Sequence, residues 1–445
     1  MSADPIPLEL DQIQSGALRA RPSPYAGTYI LLRIDDRRAG REMLRRVIPV
    51  LASAASPTSP AGDAGVAAAL TFQGLKALGV PQDSLDSFPE EFQQGMAARA
   101  AELGDVGENA PDKWEKPLGT PDVHVGLLAM ASGAAQLEAL LERARAAYQE
   151  MSGIKVIWRQ DCYVPANHRE PFGFKDGISH PAVEGSGIPG TNHKERPLKA
   201  GEFILGYKDE LGQISAIPQP EMLGKNGTYI VFRKLHQRVA AFRQYLRANA
   251  SNPEAEELLA AKMMGRWRSG APLVLAPERD DPALGADPTR NNNFLYNADG
   301  DEKGLSCPFG SHARRANPRD GLDFGDVNIH RIIRRGTAYG PLLPEGVLED
   351  DGADRGVCFC IVGAHLKRQY EFVQKQWLND GIFIGAPAQK DPIVGPNDGT
   401  GVFTIPTKPI RRRLQGLPQF VVTRGGEYFF MPGLKALSWL ADLDT

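Results

Sequence analysis

Residues 173–177 read Gly-Phe-Lys-Asp-Gly, so the carboxylate of Asp176 sits between two glycines inside a run rich in proline and glycine. Glycines let a backbone enter conformations closed to other residues, and a loop built on them can hold an acid at a fixed angle toward another group. Alone, an Asp in such a setting is more often a turn residue bonded to its own backbone. Two later stretches also concentrate side chains capable of chemistry: Cys307-Pro-Phe-Gly-Ser-His312-Ala-Arg-Arg-Ala-Asn-Pro318 and His330-Arg-Ile-Ile-Arg334-Arg-Gly-Thr-Ala-Tyr-Gly340. The chain has eight histidines, and a single one is usually structural. A cluster such as Arg331, Arg334 and Arg335 is most often a solvated face. If the third stretch is a strand, alternation puts His330, Ile332 and Arg334 on one side and Arg331 and Arg335 on the other, so Arg334 can point inward alone.

The elements that must position these residues show up as an internal repeat. Gly27-Thr-Tyr-Ile-Leu-Leu-Arg33 recurs as Gly227-Thr-Tyr-Ile-Val-Phe-Arg233, and each copy precedes an amphipathic helical pattern, over residues 37–51 and 236–248. In the first half, a short apolar stretch near 66–72, a strand over 123–130, a helix over 134–151 and a strand over 154–163 complete a β-α-β-β-α-β order. That order predicts an α+β fold of two ferredoxin-like domains, each a four-stranded antiparallel sheet with covering helices. The second half reads the same way, with strands at 228–233, 330–334, 357–362 and 427–431 and a helix at 367–378. Between its first two strands lies an insertion of almost a hundred residues, too long to be structureless in a compact domain. The expected division is an N-terminal domain over 1–164, a connecting segment carrying Asp176 over 165–226, and a C-terminal domain over 227–445. Residues 291–293, 349–351 and 387–401 read as surface loops.

Composition narrows the function. A chain of 445 residues, 42% hydrophobic and with a net charge of −3, is ordinary for a soluble protein of two or three domains, and it lacks the basic excess expected of a nucleic-acid binder. No apolar run approaches the roughly 18 residues of a membrane span, and the N-terminal residues lack a secretory pattern, so the expected location is the cytoplasm. The four cysteines (Cys162, Cys307, Cys358 and Cys360) include no CxxC pair, and the reading for them is buried free thiols.

Taken together, the segments at 173–177, 307–318 and 330–340 resemble the dye-decolorizing peroxidases, a haem enzyme family. Leu10-Asp-Gln-Ile-Gln-Ser-Gly16 and Gln369-Tyr-Glu-Phe-Val-Gln374 are similar to that family's N-terminal segment and late helix, and the whole looks most like its longer bacterial and fungal-like branch. The resemblance implies a dimeric α+β barrel-like fold and one haem b per chain, held mainly by the C-terminal domain. It implies hydrogen peroxide as oxidant and aromatic donors such as anthraquinone dyes, phenols and lignin-like compounds, with Mn(II) a further candidate; a homo-oligomer is compatible with it. By position, Asp176 matches the distal acid, Arg334 the distal arginine and His312 the axial ligand to iron, while Val357 and Phe359 match apolar residues over the distal haem face.

The chemistry suits those types. A neutral imidazole can ligate iron and leave the other axial position open. A carboxylate can carry a proton between the two peroxide oxygens, and a guanidinium, which keeps its proton, stabilises developing negative charge without competing for that role. Arg314 and Arg315 are placed either to pair with haem carboxylates or to face solvent. Trp377, Tyr339 and Trp267 are conceivable electron relays, with buried packing the better reading.

One departure concerns the axial histidine, which in this family donates its second N–H to an acid. Where related chains often carry that acid this one has His365, so either Glu371 or another carboxylate substitutes or the bond is altered. The rival readings are a haem-carrying or haem-iron-releasing protein with little turnover, and a ferredoxin-like scaffold with no haem. Soret absorbance and peroxide-dependent dye turnover separate the three.

Overall fold

The computed structural model describes residues 7–55, 64–165, 167–322 and 325–443. Residues 1–6, on which the expected lack of a secretory leader partly rests, lie outside them. The first copy of the repeat forms β1 (Ala26–Ile34), which leads into a helix over Arg37–Val47. Asp36 caps that helix by accepting from the Ala39 N–H, satisfying a donor that a helix start leaves unpaired. β2 (Gly65–Leu70), β3 (Val125–Ala131), a helix over Ala134–Arg145 and β4 (Ile154–Tyr163) complete the first half. Its strands pair antiparallel in the order β4-β1-β3-β2, the ferredoxin-like arrangement.

The second half repeats the plan. β5 (Thr228–Gln237) is followed by helices over Val239–Ala248 and Pro253–Met264, then by the short strands β6 (Ile333–Arg334) and β7 (Thr337–Tyr339), and by β8 (Gly356–Gly363). β9 (Gly401–Ile405) and β10 (Arg412–Leu417) form a separate hairpin before β11 (Val421–Met431). The order is β11-β5-β8-β6, with β7 also against β8, so the repeated Gly-Thr-Tyr-Ile runs occupy equivalent interior strands, β1 and β5. Both runs begin where little room exists: a Cβ on Gly27 would lie 2.2 Å from the Met130 sulfur, and one on Gly227 2.6 Å from the Phe430 ring. A bridge between Leu70 of β2 and Phe430 of β11 joins the halves into one nine-stranded sheet.

Alternation along the strands assigns two faces. Ile30, Leu32, Val66, Ala68, Val231 and Phe430 pack with the helix residues Met43, Leu44 and Leu141 on one face. Tyr29, Leu31, Ile230, Phe232, Cys358, Cys360 and Met431 pack on the other, covered by Phe203, Ile204 and Tyr207 of the connecting segment. Each Val, Leu, Ile, Phe or Met among them, fully buried, contributes roughly 1.5–3 kcal/mol.

Several local expectations change. His330 ends a 3-10 turn over Val327–His330 instead of starting a strand, because pairing with β8 in this region begins only at Ile333. His236 belongs to β5, and the following helix begins at Val239. The expected helix at 367–378 is π-helical, over Lys367–Glu371 and Val373–Leu378. Residues 291–293 and 387–401 are not simply surface loops: Asn291, Asn292, Gln389, Asp391 and Asn397 are all buried. The acidic stretch at 349–351 is exposed as expected, and all four cysteines are buried and free. Among the described residues, no helix is long and apolar enough to cross a membrane.

Candidate active site

The face of the C-terminal half-sheet that presents Leu235, Val357, Phe359 and Ile361 is not covered by helices as its N-terminal counterpart is. The insertion and the π-helix stand off from it and enclose a cavity of about 270 Å³, completed by Leu378, Ile393 and Val394. Val357 and Phe359, named from sequence, both line it, and so do Asp176, Arg334 and His312. The structure therefore brings together five of the seven predicted residues.

Asp176 is presented by a loop wound around a buried acid. The Glu170 carboxylate accepts from the N–H groups of Phe172 and Phe174 at 3.0 and 2.9 Å and from the Gln237 amide at 2.6 Å. Gly173 and Gly177 take φ of +96° and +82°, a region that L side chains rarely adopt. A Cβ at Gly173 would also lie 2.5 Å from Nη1 of Arg268, the same nitrogen that donates to the Phe172 carbonyl. The loop thus needs glycine at both ends of the acid, for torsional reasons at one and for torsion and space at the other.

Arg334, on β6, reaches the same acid, with Nη1 3.6 Å from Asp176 Oδ1, and its Nη2 donates to the Ile178 carbonyl at 2.6 Å. Burial pushes the Asp176 carboxyl up, but Arg21, Arg334 and the Gly177 N–H outweigh it and hold the acid below its ordinary value. His180, behind the loop, is pushed well below the usual imidazole range by burial and by Arg335 and Arg334, so it is neutral, and its Nδ1 has no partner among the described residues.

His312 opens a short helix over His312–Ala316, whose preceding residue, Ser311, is tied to the Lys262 carbonyl at 2.5 Å. Its Nδ1 is 2.9 Å from Asp391 Oδ2, and no hydrogen bond to Nε2 is found among the described residues. Asp391 has no accessible side-chain surface. Its Oδ1 accepts from the N–H groups of Ile393 and Val394 at 2.8 and 2.9 Å, which fixes the carboxylate edge offered to His312. Burial would raise this acid; the imidazole, Arg315 and the Val394 N–H prevail and hold it below its ordinary value.

The acid behind His312 is therefore Asp391, the other carboxylate that the sequence reading left open, and Glu371 does not fill that place. Glu371 is bound to Arg99, at 2.6 Å from Nη2, and to the Tyr428 hydroxyl at 2.9 Å. His365 lies beside Ser215, and burial pushes it down to about 4. Asp391 went unrecognised because it follows His312 by 79 residues in a stretch that reads as loop. The available signal was the apolar Ile393 and Val394 directly after it.

Arg314 and Arg315 are corrected too. Arg314 is buried against Asp301 at 2.9 Å, and Arg315 donates to the carbonyls of Gly310, Trp377, Asp380 and Gln389. They brace the insertion and neither lines the cavity. Arg331, read as a solvated residue, is buried, lines the cavity and pairs with Glu195 at 3.3 Å. Arg335 passes to the opposite face of the sheet and donates to the Leu18 carbonyl at 2.9 Å. Simple alternation fails here because β6 is only two residues long. Arg266 and Arg319 also line the cavity and were not singled out in sequence. Trp377, Tyr339 and Trp267 are buried, at 3%, 1% and 4% exposure, as their packing reading requires.

The cavity suits a flat, largely apolar group with a metal ion and acidic edges. It offers one imidazole nitrogen free to ligate, apolar walls and five arginines, Arg233, Arg266, Arg319, Arg331 and Arg334. Buried polar atoms without partners also cluster on its wall: Asp105 Oδ2, Arg233 Nε, Gln237 Oε1 and both side-chain polar atoms of Asn317. The donor set fits haem.

Comparison with known proteins agrees in kind. No family model matches the chain. The chain is 33% identical over 459 residues to a dye-decolorizing peroxidase of Exidia glandulosa, covering 97% of this chain and 87% of that one. It is 34% identical over 427 residues to Peroxidase 2 of Mycetinis scorodonius, covering 88% and 79%. Among solved structures, a dye-decolorizing peroxidase in complex with 2,6-dimethoxyphenol superposes with a TM-score of 0.84 at 29% identity, covering 98% of this chain and all of the other.

Proposed function

Because the chain belongs to the dye-decolorizing peroxidase family, we propose that it reduces hydrogen peroxide at a haem b held by His312 and oxidises aromatic donors, dyes and phenols among them. The observation that carries this reading is one cavity shared by an uncommitted imidazole nitrogen and by an acid–arginine pair. Haem, when bound, supplies the iron that accepts peroxide and the electrons that reduce it.

The chain's own residues supply the rest. His312 ligates through Nε2 while Asp391 holds its Nδ1–H, fixing the tautomer and strengthening donation from the ring. Asp176, kept ionised by its arginines, takes the proton from one peroxide oxygen and returns it to the other, which leaves as water. Arg334 faces the same space and stabilises the negative charge that builds on the leaving oxygen. Val357, Phe359 and Ile361 keep bulk water from that charge, which strengthens the guanidinium's effect. Arg319 and Arg331 are the candidates to meet the haem carboxylates, a role for which arginine geometry is suited.

The test is a pair of variants in the haem-loaded enzyme. Asp176→Asn and Arg334→Leu are expected to keep the Soret band while the rate constant for reaction with peroxide falls by roughly 10²–10⁴-fold. Unchanged rates in both variants would overturn the assignment of roles. A wild-type protein that binds haem and yields no dye or phenol turnover with peroxide would overturn the function. Steady-state turnover of an anthraquinone dye, a phenol and Mn(II) ranks the donors.

A further inference from the structure

Asp176 has a second arginine that does not share its cavity. Arg21, in the segment that leads into β1, places Nη2 3.2 Å from Asp176 Oδ2, whereas Arg334 stands 3.6 Å from Oδ1. The two guanidiniums thus address different oxygens of one carboxylate.

Their surroundings differ as well. Arg334 lines the large cavity; Arg21 lines a separate one of about 70 Å³, with Arg19, Arg335, Cys360 and Val362, on the opposite face of the sheet. Arg334 thus shares the large cavity with Asp176, whereas Arg21 does not line it. The Arg21 side chain is only 17% accessible, and its guanidinium stacks 4.2 Å from the centre of the Tyr25 ring. Tyr25 is itself fixed, since its hydroxyl accepts from the Ala338 N–H on β7 at 2.7 Å. A guanidinium held this way has already lost most of its rotamer freedom, so less is lost when it pairs with Asp176, whose side chain is 34% accessible.

We propose that Arg21 is a positioning residue for the distal acid: it anchors Asp176 through Oδ2 and leaves Oδ1 directed at Arg334 and peroxide. The proposal rests on the peroxidase reading given above and adds to it a residue from the N-terminal half of the chain. The groups that bear on Asp176 are Arg21 and Tyr25 from the N-terminal segment, Arg334 from β6, and His180 and the Gly177 N–H from its own loop, with buried Glu170 at the loop's base. Among these groups Arg21 does most to hold Asp176 below its ordinary value, ahead of Arg334.

The test uses Arg21→Gln and Arg21→Lys in the full chain, with two readouts. In haem-loaded enzyme, the rate constant for reaction with hydrogen peroxide is followed by stopped flow across acid pH. In haem-free protein, the Asp176 carboxyl is titrated by carbon-13 NMR, with Asp176→Asn identifying its signal. In Arg21→Gln the acid limb of the rate profile and the carboxyl midpoint are both expected to move up by about one pH unit, and Arg21→Lys restores most of the shift. An unmoved carboxyl midpoint in Arg21→Gln overturns the proposal, whatever the rates do. If the midpoint moves but wild-type enzyme fails to react with peroxide, the peroxidase reading fails and the anchoring of Asp176 by Arg21 stands. Should Arg21→Gln not fold, the lysine variant carries the test, since a shorter reach to Oδ2 still raises the midpoint by a measurable fraction of that unit.

Discussion

At the scale of single residues, the site depends on two carboxylates that serve different partners. Asp391 does not line the cavity and meets it through His312, so replacing it tests the imidazole's support. Asp391→Ala removes the acceptor for His312 Nδ1–H and for two backbone N–H groups. Haem affinity is expected to fall about 10–100-fold, measured by Soret titration of the haem-free protein, and stability by about 1–3 kcal/mol in urea unfolding. His312→Ala is expected to give no six-coordinate or imidazole-ligated Soret spectrum after haem supply, while its far-ultraviolet circular dichroism stays native. A native-like haem spectrum in that variant would show that another residue is the ligand. Legibility at this scale was uneven. The types and local context of Asp176, His312 and Arg334 were enough to single them out, whereas Arg331 carries no local signature that separates it from surface residues and Asp391 carries only the apolar pair Ile393 and Val394 that follows it.

At the scale of elements, the distal loop and the short strand β6 place the chemistry. The loop's two glycines are not equivalent. Both have positive φ, but only Gly173 also faces a side chain, Arg268, that is already committed to a backbone carbonyl and to Glu257. Gly173→Ala is expected to cost more stability than Gly177→Ala, with each in the range of about 1–3 kcal/mol, measured as the shift in urea midpoint at constant slope. Equal losses would mean that torsion alone sets the requirement. The strands and their alternation were readable because β-branched and aromatic runs fit a half-buried pleated surface. The π-helical geometry of 367–378 and the 3-10 turn at His330 were not, since both are set by contacts distant in sequence. One such contact is Gln369, whose amide donates to the carbonyls of Glu202 and Arg331 at 2.7 and 2.9 Å.

For the molecule as a whole, two ferredoxin-like halves share one sheet, and buried groups on it make stability depend on pH. Glu427 on β11 is buried and accepts from the Gly119 N–H; burial pushes its carboxyl up to about 8 from an ordinary 4.5. The folded chain therefore keeps this proton over a range in which the unfolded chain has lost it. Its contribution is fully present below about pH 4.5, declines as pH rises, and is gone above about pH 8. Glu427→Gln is expected to flatten the fall in melting temperature between pH 5 and pH 8, with little change at the acid end; an unchanged slope would assign that fall to other groups.

The sequence by itself determined the repeat, the two-domain α+β plan, the family and the choice of Asp176, Arg334 and His312 as residues that line one cavity, because each rests on local pattern or on motifs a few residues long. Tertiary structure decided which acid stands behind His312, which arginines reach the cavity, and that Arg21 from the N-terminal half holds Asp176. These depend on side chains 79, 155 and more residues apart meeting in space. Chain closure over such distances is fixed by the packing of the whole sheet and its insertion, and no local propensity records it.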